Sequence, residues 1–156
     1  MNPAAELLYG HDVLRGKIVS LESFLSCLAV VPFTVSRLTE SLATCLRAHT
    51  EREEHLLDMV MRQQDEPPFT LIQQLCDEHE NHRTRLAILH ELLAEGTPRS
   101  EEQIMTQAGD LIKDLREHMA KEEEQLFPFM DQERREREES VAAAVDDEAA
   151  QLLGLA

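Results

Sequence analysis

His118-Met-Ala-Lys-Glu122 repeats the His-x-x-x-Glu spacing of His49-Thr-Glu-Arg-Glu53 in the first half of the chain. A solitary histidine precedes each copy and is followed one helical turn later by arginine: His11 with Arg15, then His79 with Arg83. The step from His11 to His79 and the step from His49 to His118 differ by a single position. On an α-helix, residues i and i+4 share a face one turn apart, so His49 and Glu53 point the same way, as do His118 and Glu122. Surface histidines have no physical reason to fall into such a register. Four helices that each aim a ligand at one buried point do. The expected fold is therefore all-α, an antiparallel up-down-up-down four-helix bundle.

Composition agrees. The chain has 156 residues, a natural length for one domain, with 4% aromatic residues, no Trp, and few Gly and Pro. Good helix formers dominate, and little of the sequence alternates as a strand would. A formal charge of -16 repels phosphate backbones and anionic bilayers, so neither nucleic acid nor a membrane is an expected partner. Three cysteines (Cys27, Cys45, Cys76) show no paired spacing, which fits a reducing compartment. The opening Met-Asn-Pro-Ala-Ala-Glu has no basic stretch ahead of an apolar run, and no segment is apolar enough to span a bilayer. The expected location is the cytoplasm, as monomer or homodimer.

Prolines and one glycine divide the chain. The first helix is expected from about Ala4 to Val30, stopped by Pro32, and the second from Phe33 to Gln64, ending at Asp65-Glu-Pro-Pro68. Thr70 with Gln73 reads as a capping box opening the third, which runs to Glu95 with Gly96 just past its end. Ser100 with Gln103 reads as a second box, opening a fourth helix that reaches at least Phe127. The bundle domain is assigned to residues 1–131. Residues 132–156 are expected to form a charged helical extension that frays into disorder, with Leu152, Leu153 and Leu155 as docking residues.

The repeated residues suit metal. Imidazole with carboxylate and no thiolate is a donor set for iron, manganese or zinc. Six donors exceed the needs of one tetrahedral ion and suit two ions, each with two histidines, joined by two bridging glutamates. Two carboxylates in a bundle core are costly unless protonated or bound to cations. Two divalent ions supply that charge, with a bridging hydroxide or exogenous anion taking up the remainder.

From about residue 5 to 131 the pattern resembles the hemerythrin family in its HHE cation-binding form. The run His118-Met-Ala-Lys-Glu122-Glu-Glu-Gln-Leu-Phe-Pro128 is similar to the family signature, and Glu78-His79 resembles its third-helix motif. The resemblance implies a non-heme di-iron site: two iron ions (Fe2+/Fe3+), oxo- or hydroxo-bridged, with zinc or manganese as other occupants. The ligands it implies are His11, His49, Glu53, His79, His118 and Glu122. Oxygen carriers of the family have a further histidine one turn after the third-helix ligand, where this chain has Arg83. In that respect it looks like the regulatory and sensing branches.

The expected function is binding or sensing of O2, NO, peroxide or iron itself, with a small diatomic or peroxide molecule as partner. The alternatives are a peroxide-consuming, catalase- or peroxidase-like di-iron oxidoreductase, or an iron buffer. No histidine has a glutamate three residues before it, which disfavours the ferritin-like arrangement. Outside the six, His82 is a rival ligand, but its counterpart in the first half is Leu14, which favours His79. His55, His82 and His90 are expected to be solvated or capping, and Glu54, Glu123 and Glu124 to turn off the ligand face into solvent. Arg15 and Arg83 are expected to pair with carboxylates near the site. Cys45, Cys76, Met61 and Met130 read as core.

Overall fold

The computed structural model describes residues 2–63, 67–96 and 98–152. Among these there is no strand: α1 spans Pro3–Leu25, α2 Pro32–Gln63, α3 Phe69–Glu95, α4 Pro98–Lys121 and α5 Phe127–Leu152, with a π-helical turn, Glu122–Leu126, joining the last two. The expected end of α2 at residues 64–66, and Leu153 and Leu155, lie outside the described residues.

Prolines start these helices rather than stop them. Pro3, Pro32 and Pro98 each occupy a first helical position, where a missing N–H costs nothing and the ring presets φ. Asn2 caps α1 by accepting the Ala4 N–H at 2.9 Å, and its amide donates to Asp131 on α5 at 2.5 Å. The expectation that helix one runs to Val30 is corrected. It ends at Leu25, and tight backbone bonds from Cys27 to Phe24 and from Leu28 to Leu25 turn the chain so that Leu28 drops into the core. Neither Thr70 nor Ser100 is a helix cap. Pro67 and Pro68 start α3 at Phe69, which leaves Thr70 inside the first turn and Gln73 bonded to Asp77. Pro98 likewise starts α4 upstream of Ser100, which is buried. Gly96 does end α3 in the left-handed conformation, at φ 62°.

Two apolar clusters establish the antiparallel arrangement. One gathers the later half of α1 (Leu14, Ile18, Leu21, Leu25), early α2 (Val35, Leu42, Leu46), later α3 (Leu86, Leu89) and early α4 (Ile104, Leu111, Leu115). The other gathers the opposite ends: Ala4 and Leu7, Leu56 and Leu57, Ile72 and Leu75, then Leu126, Phe127 and Met130. Only helices alternating in direction sort their residues this way. Each fully buried leucine contributes about 1.5–3 kcal/mol. The polar residues between the clusters are thus clamped from both ends of the bundle. No helix among the described residues is long and apolar enough to cross a membrane.

Candidate metal centre

Between the two clusters, each of the four helices turns polar side chains inward. His11 on α1, Glu53 on α2, His79 on α3 and Glu122 at the start of the π turn are 0–2% exposed, and His118 is 4% exposed. His49 is also largely covered. All six residues singled out from the sequence come together here. Glu53, His79, His118 and Glu122 place one donor atom each within 4.8 Å of one another, and so do His11, His49 and Glu122.

Glu122 belongs to both groups. Its Oε2 lies 2.8 Å from His11 Nε2, and its Oε1 lies 2.7 Å from His118 Nε2. Glu53 Oε2 stands between the groups on the other side, 3.4 Å from His79 Nε2 and 3.8 Å from His49 Nε2. The Nε2 atoms of His79 and His118 face each other at 3.0 Å. His49 Nε2, both oxygens of Glu53 and Oε1 of Glu122 are buried with no well-formed hydrogen bond. Buried polar atoms left unsatisfied cost about 1–3 kcal/mol each. Four of them converging with facing imidazoles fit a centre completed by cations.

Burial and mutual charge shift the protonation of these groups strongly. Burial pushes the Glu53 carboxyl up to about 7, the Glu122 charge adding to the rise. Burial alone would lower His79, but Glu122 and Glu53 outweigh it and hold the imidazolium up to about 10. His118 is raised in the same way by Glu122 and Glu78. Burial and then the charge of His11 push His49 down to about 4. Glu122 is held well below its ordinary value by His11, His118 and His79 despite its burial.

Outside the six stands a ring of carboxylates, and here the expectation for Glu54 and Glu123 is corrected. Glu123 accepts from His11 Nδ1 at 2.7 Å and from Arg15 at 2.6 Å. Glu54 accepts from His79 Nδ1 at 3.1 Å and from Arg83 at 3.4 Å. Each turns off its own helix's ligand face only to reach the histidine of the next helix. Glu78 does the same for His118 Nδ1 at 2.8 Å and is itself paired with Lys121. A carboxylate on the far nitrogen fixes a ligand imidazole's tautomer and direction and raises its basicity. The doubled acids Glu53-Glu54 and Glu122-Glu123, one pair in each half, were the signal for two of these partners. Arg15 and Arg83 pair as expected, while Glu124 is exposed.

The remaining histidines divide. His55 and His90 are exposed. His82 is not solvated but buried, its ring edge-on to His118 at 5.0 Å and its Nδ1 without a partner. Burial, followed by the charges of His118 and His79, lowers it to about 4, so it is neutral at pH 7. Its i+3 offset from His79 carries it past the ligand face into the α3–α4 seam, beside a cavity of about 330 Å³ lined by Asn81, Arg85 and His118. Met130 is buried, and Met61, Cys45 and Cys76 pack against the core clusters.

Gly10 is set by the site rather than by a turn. A methyl group there would overlap His49 Nδ1 and come within 3.0 Å of its Cε1. Gly10→Ala is therefore expected to displace the imidazole and destabilise the chain by about 1–3 kcal/mol, the usual penalty of overpacking. Otherwise alanine would favour the helix by about 1 kcal/mol. Thermal unfolding in chelator decides, and a raised melting temperature would show that the contact does not matter.

A family model described as the hemerythrin HHE cation binding domain matches residues 2–130, and a second alignment of the same model matches residues 70–156. The starts of the two alignments are displaced by the same step that separates His11 from His79. No curated protein and no solved structure matches the chain.

Proposed function

The chain belongs to the hemerythrin HHE cation-binding family, and from that premise we propose that it is a non-heme di-iron protein that binds or senses O2, NO, peroxide or iron itself. One observation supports this reading: Glu122 is shared by two groups of inward donors, each with two imidazoles, an arrangement that suits a pair of ions better than one. His79 and His118 would hold one ion, His11 and His49 the other, with Glu122 and Glu53 between them. Borderline nitrogen and hard oxygen donors without thiolate suit iron, with manganese or zinc as other occupants. The ions would supply redox and Lewis-acid chemistry toward a small oxidant.

The chain's own residues do the rest. The apolar clusters on either side exclude bulk water. Glu123, Glu54 and Glu78 fix three of the imidazoles in direction and tautomer. Arg83, at the position where oxygen carriers of the family have a further histidine, is turned out to Glu54 and Glu80 and 47% exposed, so it offers the centre no donor. That favours sensing over oxygen transport.

The test is iron bound per chain after anaerobic ferrous loading, with the absorption spectrum followed as air is admitted. About two irons per chain with bands that appear in air is the expected result, and their reversal on deoxygenation would identify a reversible binder. Irreversible oxidation, or oxygen evolved from added peroxide in proportion to iron, would move the reading to a redox sensor or a peroxide-consuming enzyme. A chain that takes up one iron or none would overturn the two-ion centre.

A further inference from the structure

The two halves of the chain match not only in their donors but in the groups that hold those donors. Glu123 with Arg15 braces His11, and the residues at matching positions, Glu54 with Arg83, brace His79. Glu78 with Lys121 braces His118. In the first half the match to Glu78 is Gly10, each directly preceding a solitary histidine, and the match to Lys121 is Arg52, each directly preceding a buried glutamate. Gly10 has no side chain to offer, and it lies directly against His49 Nδ1. Arg52 pairs instead with Glu6, one turn before Gly10, at 2.7 and 3.0 Å. Among the described residues, His49 is the one inward histidine of the four whose far nitrogen meets no carboxylate. The matching of braces between the two halves fails at His49.

We infer that the two ions are held unequally: the ion between Glu53, His79, His118 and Glu122 is retained, and the ion between His11, His49 and Glu122 is exchangeable, with His49 as the releasing arm. The inference rests on the two-ion reading above and adds to it which ion leaves and why. Two independent features point the same way. Glu53 is in mutual reach of the retained donors but not of the other three, its Oε2 lying 3.4 Å from His79 Nε2 against 3.8 Å from His49 Nε2. Both imidazoles of the retained site are braced, whereas only His11 is braced in the other. Loss of such a brace lowers metal affinity by about 10–100-fold. A centre built this way would respond to the free iron concentration through its second site while the first stays filled.

The experiment is an anaerobic titration of the full iron-loaded chain with a ferrous chelator, reading iron retained against free iron. The expected curve has two steps of equal height separated by about 10–100-fold in free iron. Glu78→Ala removes the brace from His118, leaves one braced imidazole on each side, and is expected to move the tighter step toward the weaker one. Because Glu78 is partly exposed and its neighbours stay in place, the fold should survive, and a circular dichroism melt checks that. His49→Ala is expected to abolish the weaker step alone. Two irons leaving in one step, or a Glu78→Ala curve identical to that of the unmodified chain, would overturn the inference while leaving the two-ion centre intact. Failure to load two irons at all would overturn that centre, and the inference with it.

Discussion

Glu122→Gln is expected to strip the centre of at least one ion and to destabilise the metal-free chain as well. Glu122 is fully buried, and its two oxygens face different donor groups, Oε2 toward His11 and Oε1 toward His118. Glutamine keeps the volume but removes the negative charge shared by both sites and turns an amide N–H₂ toward one of them. In the metal-free chain the loss falls on His79 and His118, whose protonated forms are sustained by this carboxylate. Removing one partner of a buried ion pair costs about 3–5 kcal/mol. At Glu123, which is 28% exposed, the same substitution should loosen only His11 and Arg15, a smaller effect. Metal analysis after iron loading, paired with thermal unfolding in chelator, separates the two consequences. A Glu122→Gln chain that keeps both irons would show that the carboxylate does not bridge.

The same residue explains why the fold was more legible than the site. Helix existence and order followed from periodicity and punctuation, because a core-facing stripe must recur every three or four residues whatever lies inside it. The donors were readable for the same reason: His49 with Glu53 and His118 with Glu122 are i,i+4 pairs. What could not be read were contacts between helices. Glu54, Glu78 and Glu123 each serve a histidine on a different helix, between 25 and 112 residues away in the chain. Spacing along one helix is silent about that. It marked Glu54 and Glu123 as off-face, which is true of their own helices and misleading about their function.

The π turn was also invisible to a reading based on a 3.6-residue period. Pro128 has no N–H to give the carbonyl four residues back, and its ring would crowd that carbonyl in a regular helix. Ahead of it the ladder widens, and the Phe127 N–H reaches Glu122 O, five residues back. Such single π turns tend to sit at functional sites. Here it begins at Glu122 itself, rotating Glu123 toward His11 and seating Phe127 against the His11 ring at 5.2 Å. A proline six residues after Glu122 was the available signal. The helix boundaries missed at Thr70 and Ser100 have a related cause, since a proline at or just before the first helical position outcompeted a side-chain cap one or two residues later.

Removing metal should leave a chain most stable near pH 6.5, and restoring it should help most on the alkaline side. His79 is raised to about 10, so its contribution is complete below the unfolded value of about 6.5 and is lost as pH rises toward 10. His118 is raised and acts in the same direction. Glu53, raised to about 7, adds stability that is present below pH 4.5 and disappears as pH climbs through 7. On the acid side, His49 and His82 sit at about 4, so their neutral forms favour the fold above pH 6.5 and oppose it as pH falls. Glu122, depressed, likewise loses its contribution as it is protonated. A tenfold change in how tightly a group holds its proton corresponds to about 1.4 kcal/mol, so the alkaline loss is on the order of several kcal/mol. A bound ion replaces those protons, and ligand imidazoles must be neutral to bind it, so metal affinity rises over the range in which the metal-free fold weakens. Melting temperatures at about pH 6, 7.5 and 9, with chelator and with ferrous iron under argon, should diverge progressively. Equal metal-induced shifts at all three would mean that the buried imidazoles carry no protons for the metal to displace.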